Sequence, residues 1–158
     1  MINIEPIGFV KNTRTKVEDD YWGGLVSEII LDEKYGEESL GRIEEFSHAE
    51  IVFYFHQVKD EKIVIGARHP RNNINLPKVG IFAQRGKNRP NKIGTTIVKV
   101  LKQEKNILFV KNLDAVYGTP VLDIKPVFKE YLPDEKVKQP EWTQEIMKNY
   151  WCDSARSK

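Results

Sequence analysis

Short runs of β-branched and aromatic residues, each followed by a turn, recur along most of the chain. The strongest run is AEIVFYFH at residues 49–56, where large side chains fall on both parities, so we expect both faces of this strand to be covered. Two more runs flank the polar residues 103–106 and predict a hairpin. The predicted strands are residues 4–10, 25–31, 49–56, 62–67, 79–84, 94–101, 107–110 and 121–125. About seven short strands with few helices predict a mostly β, mostly antiparallel barrel or sandwich.

Helical patterning is confined to two places. Residues 37–45 carry apolar side chains on one side of a short predicted helix. A second helix is predicted at about residues 140–151, because Pro140 is tolerated in a first helical turn and an apolar stripe with a spacing of four residues follows it. The stripe consists of Trp142, Ile146 and Tyr150. We expect this helix to cap the β core, and a dimer contact is the alternative.

Length and composition restrict the class of protein. The chain has 158 residues, the length of one domain, which we place over residues 1–158 with its core at about 4–133. The composition is 40% hydrophobic and 30% charged, and no apolar run approaches the roughly 20 residues of a membrane span. The first residues do not resemble a secretory leader, and the only cysteine, Cys152, has no partner for an internal disulfide. These features predict a cytoplasmic protein.

Charge is segregated along the chain, although the total is only +2. Residues 62–103 contain ten lysines and arginines and no aspartate or glutamate, so the rest of the chain is net acidic. Such a stretch creates a local positive potential. It is either a solvated face or the binding surface for a phosphate-bearing partner such as RNA.

Several familiar site types are missing from the sequence. It has no G-x-G-x-x-G stretch after a predicted strand and no G-x-x-x-x-G-K-[ST] stretch, the two common glycine motifs for nucleotides. Three histidines and one cysteine without close spacing predict no metal site. Cys152 has no histidine near it in sequence and is therefore a poor candidate for a catalytic nucleophile.

Two stretches do indicate chemistry. Residues 80–94, GIFAQRGKNRPNKIG, form a loop between strands, in which Pro90 restricts Arg89 to an extended conformation. The alternative for this loop is a basic hairpin tip. Residues 114–126, DAVYGTPVLDIKP, begin with Asp114 at a strand end, where a carboxylate is able to accept hydrogen bonds from ribose hydroxyls or an amine. Asp123 and Lys125 share one face of the next strand, and turn capping with a simple ion pair is the alternative reading of this stretch.

Both stretches resemble motifs of the TsaA/TrmO family, G-[IV]-F-A-T-R-x-x-x-R-P-N-P-I-G and D-x-x-D-G-T-P-V-[LV]-D-I-K-P-Y. Four shorter pieces fit in the same order, namely PIG at 6–8, FSH at 46–48, FHQ at 55–57 and RHPR at 68–71. The resemblance covers about residues 4–133. It implies a single antiparallel β-barrel that binds S-adenosyl-L-methionine (SAM) and is unrelated to Rossmann methyltransferases. It also implies a homodimer with SAM near the subunit interface, and N6-methylation of a threonylcarbamoyl-adenosine beside the tRNA anticodon.

The resemblance assigns roles by position. The implied cofactor contacts are Gly23, Gly24, Leu25, His56, Gln57, Arg85, Thr95, Asp114, Ala115, Val116 and Tyr117. As catalytic or acceptor-side residues we predict Arg89, Asn91, Asp123 and Lys125. As phosphate contacts we predict Arg68, Arg71, Lys87 and Lys92. Departures from the motifs fall at Gln84, Lys92, Tyr117 and Val127, and the chain ends near the point where longer members begin a further C-terminal domain.

Three functions are compatible with these patterns. The first is a tRNA adenosine N6-methyltransferase. The second is a methyltransferase of the same fold with a small-molecule acceptor, which the departures from the motifs keep open. The third is a module that binds SAM or RNA without catalysis. The acid-free stretch favours RNA over a small acceptor, and only turnover separates an enzyme from a binding module.

Overall fold

In the computed structural model, which describes residues 1–156, six antiparallel strands close into a barrel. The strands of the protein are β1 (Gly8–Lys11), β2 (Val26–Leu31), β3 (His48–Tyr54), β4 (Ala67–Arg68), β5 (Val79–Gly80), β6 (Ile93–Glu104), β7 (Ile107–Lys111) and β8 (Pro120–Pro126). The order around the barrel is β1–β2–β7–β6–β3–β8, and β4 and β5 pair separately as a two-stranded ribbon. The predicted mostly β fold with an antiparallel barrel is confirmed.

Buried and more exposed side chains alternate along the strands, and the buried ones fill the interior of the barrel. On β3, Ala49, Ile51 and Phe53 are buried, and their neighbours on the other parity are partly covered. On β6, Val98 and Val100 point inward beside Thr96. The largest cluster of buried apolar residues is therefore formed by inward-facing side chains of the barrel strands together with Leu40, Leu113 and Ala115. The expectation that both faces of β3 are fully covered is met only in part.

The helices are short. One α-helix, α1 (Glu141–Met147), lies near the C-terminus, and single 3-10 turns connect the other elements. These turns are Glu33–Tyr35, Glu37–Leu40, Ile43–Glu45, Asp60–Lys62, Pro70–Asn72, Ile81–Ala83, Pro90–Lys92, Lys129–Tyr131 and Ser154–Arg156. No helix within residues 1–156 is long and apolar enough to cross a membrane.

Several local predictions differ from the structure, and residues 4–7 of the first predicted strand lie outside β1, which begins at Gly8. Residues 62–66 do not form a strand, because Gly66 adopts φ +95° there. Only Ala67 and Arg68 pair, with Gly80 and Val79 of β5. Residues 79–84 turn into a 3-10 helix after Gly80. The predicted helix at 37–45 is split into two 3-10 turns at Gly41 and Arg42. Because each of these segments lies outside the barrel, no long strand pairing fixes its backbone.

One long excursion contains eight of the ten basic residues of the acid-free stretch at residues 62–103. The chain leaves the barrel after Tyr54 and returns at Ile93, and the two residues pair in the sheet. The Phe55 amide donates to the Lys92 carbonyl (2.8 Å), which closes the base of the excursion. Residues 55–92 therefore place their arginines and lysines around the ends of β3 and β6.

The C-terminal segment (residues 141–156) folds back onto the N-terminal part of the chain. After α1, residues 149–154 run along residues 21–23, and Gly23 and Asp153 form a parallel bridge. The predicted helix at 140–151 is thus shorter than expected, because its last residues take part in this backbone pairing. Whether the helix serves to cap the barrel or to form a dimer contact stays a prediction.

Candidate functional site

A cavity of about 760 Å³ opens at the end of the barrel where β3 ends, β6 begins and the loop after β7 starts. Its walls come from five parts of the chain that are far apart in sequence. These parts are residues 17–22, 53–58, 82–97, 114–119 and 142–151, with Pro70 and Arg71 at the side. Aromatic and apolar side chains make up much of the lining, and a few charged groups point into it, which is the usual composition of a small-molecule site.

Asp114 is one of three acidic residues that line the cavity, together with Glu18 and Asp19. It follows β7, and its Oδ1 accepts a hydrogen bond from the Thr96 hydroxyl while Oδ2 accepts one from the Tyr150 hydroxyl. Burial raises the pKa of Tyr150 well above its usual value, and the nearby Asp114 carboxylate raises it further, so the phenol remains a donor. A carboxylate offers about four acceptor positions, so Asp114 retains capacity for a ligand.

Arg85 supplies a positive charge to the same cavity. Its Nη2 donates to the Thr95 carbonyl oxygen (2.9 Å), and the Thr95 hydroxyl lies 3.4 Å away. Thr95 and Thr96 are consecutive on β6 and project to opposite sides of the strand. The Thr95 carbonyl therefore anchors the Arg85 guanidinium, and the Thr96 hydroxyl anchors the Asp114 carboxylate. Two consecutive residues of one strand thus hold two groups of opposite charge.

The basic loop between β5 and β6 is organised by its own side chains. Arg89 Nη1 donates to the Gln84 carbonyl (2.7 Å), which closes the loop. The Gln84 side-chain amide donates to the carbonyls of Arg68 (3.0 Å) and Val79 (2.9 Å) and so ties the loop to the ribbon. Arg89 lines the cavity, although one of its donors already serves the loop.

His56 and Gln57 lie on the cavity wall just after β3. Partial burial of the imidazole lowers the pKa of His56 below its usual value. The ring is therefore neutral at pH 7 and is able to accept a hydrogen bond. The predicted place of His56 beside the cofactor stays a prediction.

The four predicted phosphate contacts differ in their surroundings. Lys87 and Arg71 line the cavity, and Arg71 also pairs with Asp20 (2.9 Å). Arg68 lies on the ribbon, where it donates to Asn72. Lys92 is held inside the protein, because its Nζ donates to Asp60 (2.8 Å) and to the Val58 carbonyl (3.1 Å). The hydrogen bond from Lys92 lowers the pKa of Asp60, and the same pair raises the pKa of Lys92.

Several predicted site residues lie away from the cavity lining. Asp123 and Lys125 pair with each other on β8 (2.5 Å), and Asn91 is exposed on the Pro90–Lys92 turn. Gly23 contacts the C-terminal segment, and the Gly24 amide donates to the Asn112 side chain. Leu25 is buried with Trp22, while Tyr117 is exposed at the turn that Gly118 makes with φ +82°. The structure does not bring these residues together with Asp114 and Arg85.

Two cavity-lining residues, and one residue that lies behind the lining against Trp22, are not found from the sequence. Thr96 is a polar residue among the inward-facing positions of β6, which are otherwise mostly apolar. A polar residue at such a position indicates a functional or hydrogen-bonded side chain. Tyr150 was assigned to an apolar stripe. Arg14 is almost fully buried, donates to the carbonyls of Asp20 and Tyr21 (2.7 Å each) and lies 4.0 Å from the Trp22 ring centre. Nothing in the sequence distinguishes Arg14 from the lysines beside it.

Among residues 1–156, no group of three or more His, Cys, Asp or Glu side chains is arranged to hold a metal ion. The charged groups of the cavity instead form hydrogen bonds with hydroxyls and backbone carbonyls.

A closed antiparallel barrel with an aromatic cavity at one end, lined by Asp114 and Arg85, has the architecture of a β-barrel ligand-binding protein. The family model of the tRNA-methyltransferase O N-terminal domain matches residues 14–132 of the sequence, and the chain belongs to this family. The family predicted from the motifs is thereby confirmed. The structure also superposes on the crystal structure of TrmO from P. aeruginosa with a TM-score of 0.72 and 25% identity, over 90% of this chain and 62% of that one.

Curated relatives carry names consistent with this family. The human tRNA (adenine(37)-N6)-methyltransferase is 39% identical over 66% of this chain and 23% of its own length. The Escherichia coli enzyme of the same name is 43% identical over 58% of this chain and 41% of its own length. A probable SAM-binding protein from Pyrococcus abyssi is 37% identical over 64% of this chain and 52% of its own length. The chain thus spans about a quarter to a half of these relatives.

Proposed function

We propose that this protein is a SAM-dependent methyltransferase that acts on N6 of an adenosine in tRNA. The observation that carries the proposal is the pair of opposite charges, Asp114 and Arg85, fixed by Thr96 and Thr95 in one aromatic cavity. The family membership and the names of the relatives support the same class of reaction.

The residues present fit SAM. Its ribose hydroxyls or ammonium group need an acceptor, which the Asp114 carboxylate provides. Its carboxylate needs a cation, which Arg85 provides. Its adenine needs a flat apolar surface, and the cavity contains Trp22, Phe55 and Trp151. The other predicted cofactor contacts that line the cavity remain part of this proposal, namely His56, Gln57, Thr95, Ala115 and Val116.

The chemistry requires mainly positioning. When bound, SAM would supply an activated methyl group to the acceptor nitrogen, whose N–H proton would pass to an acceptor group or to water. The apolar wall excludes water from this region, and the Arg85–Thr95 contact fixes one end of the cofactor site. Arg89 and Asn91 would lie towards the acceptor, with Asp123 and Lys125 further along the barrel.

We further propose that the acceptor is a threonylcarbamoyl-adenosine next to the anticodon and that the enzyme acts in the cytoplasm as a homodimer. The basic residues at the cavity support an RNA acceptor, since Arg71 and Lys87 line it and no acidic residue occurs between residues 62 and 103. Arg68 and Lys92 belong to the same basic stretch. Lys92 would have to release Asp60 to contact a phosphate.

The test is calorimetric titration of the full chain with SAM, followed by incubation with total tRNA and mass analysis of its nucleosides. We expect SAM binding and a new methylated adenosine. Arg85→Ala should abolish SAM binding, and Arg42→Ala, at a solvent-exposed surface ion pair, is the matched control. SAM binding without methylated RNA would indicate a different acceptor or a sensor, and absence of SAM binding would mean that only the fold is shared.

A further inference from the structure

The C-terminal segment is attached to the site by backbone hydrogen bonds. The amides of Tyr21 and Trp22 donate to the carbonyls of Asn149 (3.1 Å) and Tyr150 (2.8 Å), and the Gly23 amide donates to the Cys152 carbonyl (3.0 Å). The Ser154 amide returns a bond to Gly23 (2.7 Å). Four such bonds in a row fix both the path and the register of residues 149–154.

This attachment places Tyr150 between an apolar cluster and Asp114. Its ring packs against the buried cluster of Trp22, Leu25 and Val116, while its hydroxyl donates to Asp114 Oδ2. The Thr96 hydroxyl donates to the other oxygen of the same carboxylate. Two donors from different parts of the chain therefore determine the orientation of Asp114 and leave acceptor positions for a ligand.

The same segment forms a wall of the cavity. Trp142 and Met147 on α1, together with Tyr150 and Trp151 after it, line the space that Asp114 and Arg85 face. The rings of Tyr150 and Trp151 meet edge to face with their centres 5.0 Å apart. An aromatic wall suits both an adenine, through stacking, and a sulfonium cation, through attraction to the ring face.

We infer that the C-terminal segment, although it lies outside the family-matched residues 14–132, completes the cofactor site and that Tyr150 is the positioning residue for Asp114. This inference rests on the proposed function, because it takes SAM as the ligand. Tyr150 acts through the carboxylate, and Trp151 acts as part of the wall. The cofactor site is accordingly built from both ends of the chain.

The experiment is a double-mutant cycle on the full chain, with SAM affinity measured by calorimetry for wild type, Tyr150→Phe, Asp114→Asn and the double variant. Tyr150→Phe keeps the ring and removes only the hydroxyl, so the fold is expected to persist, which the melting temperature checks. We expect about tenfold weaker SAM binding for Tyr150→Phe, from the loss of a hydrogen bond to a charged group. In the Asp114→Asn background the same change should have a smaller effect, because a neutral amide oxygen is a weaker acceptor for the hydroxyl than a carboxylate.

Two more variants complete the design. Tyr131→Phe is the control, because Tyr131 is 86% exposed and packs against Phe128 on another surface. Trp151→Ala should weaken SAM binding about fivefold or more in both backgrounds, because stacking does not depend on the carboxylate.

The outcomes separate this inference from the function on which it rests. A wild type that does not bind SAM would overturn both. A wild type that binds SAM while Tyr150→Phe binds equally well would overturn the role of Tyr150 and leave the proposed function intact. If Tyr150→Phe lowers SAM affinity equally in the wild-type and Asp114→Asn backgrounds, Tyr150 does not act through Asp114. If Trp151→Ala leaves SAM affinity unchanged, the aromatic wall does not contribute to the cofactor site.

Discussion

Gly23 and Trp151 approach each other so closely that a Cβ atom on residue 23 would lie 2.0 Å from the Trp151 carbonyl oxygen. Only glycine allows the C-terminal segment to reach its hydrogen-bonding partners at residues 21–23. The role assigned to Gly23 by family resemblance was contact with the cofactor. In the structure its contact is with the segment that carries Tyr150.

Gly23→Ala should therefore displace the C-terminal segment. We expect a loss of about 1–3 kcal/mol in the free energy of unfolding, typical of an overpacked contact, and faster hydrogen exchange at the amides of Trp22 and Ser154. Hydrogen-exchange mass spectrometry measures the second effect directly. Gly80→Ala is the control, because a Cβ there meets no atom within 4 Å and its φ is −57°. Unchanged exchange in Gly23→Ala would contradict the contact.

The sequence was most informative about the barrel. Residues of β3, β6, β7 and β8 were predicted to within a few positions, because inward-facing apolar residues alternate where two neighbouring strands pair. The bounds of β4 and β5 were not predicted, because these strands contain two residues each and are held by the Gln84 side chain. A short run of apolar residues such as 62–67 looks like a strand whether or not a partner exists.

The site was predictable only where motifs marked it. Asp114, Arg85 and His56 belong to recognisable stretches, and all three line the cavity. Thr96 and Tyr150 are 18 and 36 residues away from Asp114, so their hydrogen bonds depend on closure of the barrel and docking of the C-terminal segment. The local sequence pattern contains no information about contacts between residues so far apart in the chain.

A matched pair of leucines tests the barrel core. Leu108 on β7 is fully buried, and Leu101 on β6 is 41% exposed. We expect Leu108→Ala to cost about 2–5 kcal/mol of unfolding free energy, because it removes buried methyl groups and leaves a cavity. Leu101→Ala should cost much less. Urea denaturation of both variants measures the difference, and equal losses would place Leu108 outside the core.

The Asp60–Lys92 pair predicts a pH dependence of stability. Because Lys92 lowers the pKa of Asp60 below its usual 3.8, the contribution of Asp60 is fully present above that value and is lost as the pH falls through the lowered pKa. Because Asp60 raises the pKa of Lys92 above 10.5, the contribution of Lys92 is present below that value and is lost as the pH rises through the raised pKa. Melting temperatures of wild type and Asp60→Asn should therefore differ by a constant amount at intermediate pH and converge at both extremes. A difference that persists at acid pH would exclude the ion pair as its source.

Lys87 provides the cleanest test of the basic surface, since Arg71 and Lys92 are already paired with acids. We expect Lys87→Ala to weaken tRNA binding and to reduce the slope of log affinity against log salt by about one. SAM affinity should be nearly unchanged, because phosphate contacts and cofactor contacts are separate in the proposal. Lys136→Ala, at an exposed position beyond the barrel, is the control. A loss of SAM affinity with an unchanged salt slope would reverse this division of roles.

Thr96→Val tests the second donor to Asp114. Valine keeps the shape of threonine and its strand preference, but it removes the hydroxyl that holds Oδ1. The carboxylate would then be oriented by Tyr150 alone, so we expect SAM binding to weaken by about tenfold. Calorimetry at several SAM concentrations measures the change, and Thr13→Val, at an exposed position in the loop between β1 and β2, serves as control. If Thr96→Val binds SAM as tightly as wild type, Asp114 does not need its buried partners. The cofactor would then have to be held by Arg85 and the aromatic wall.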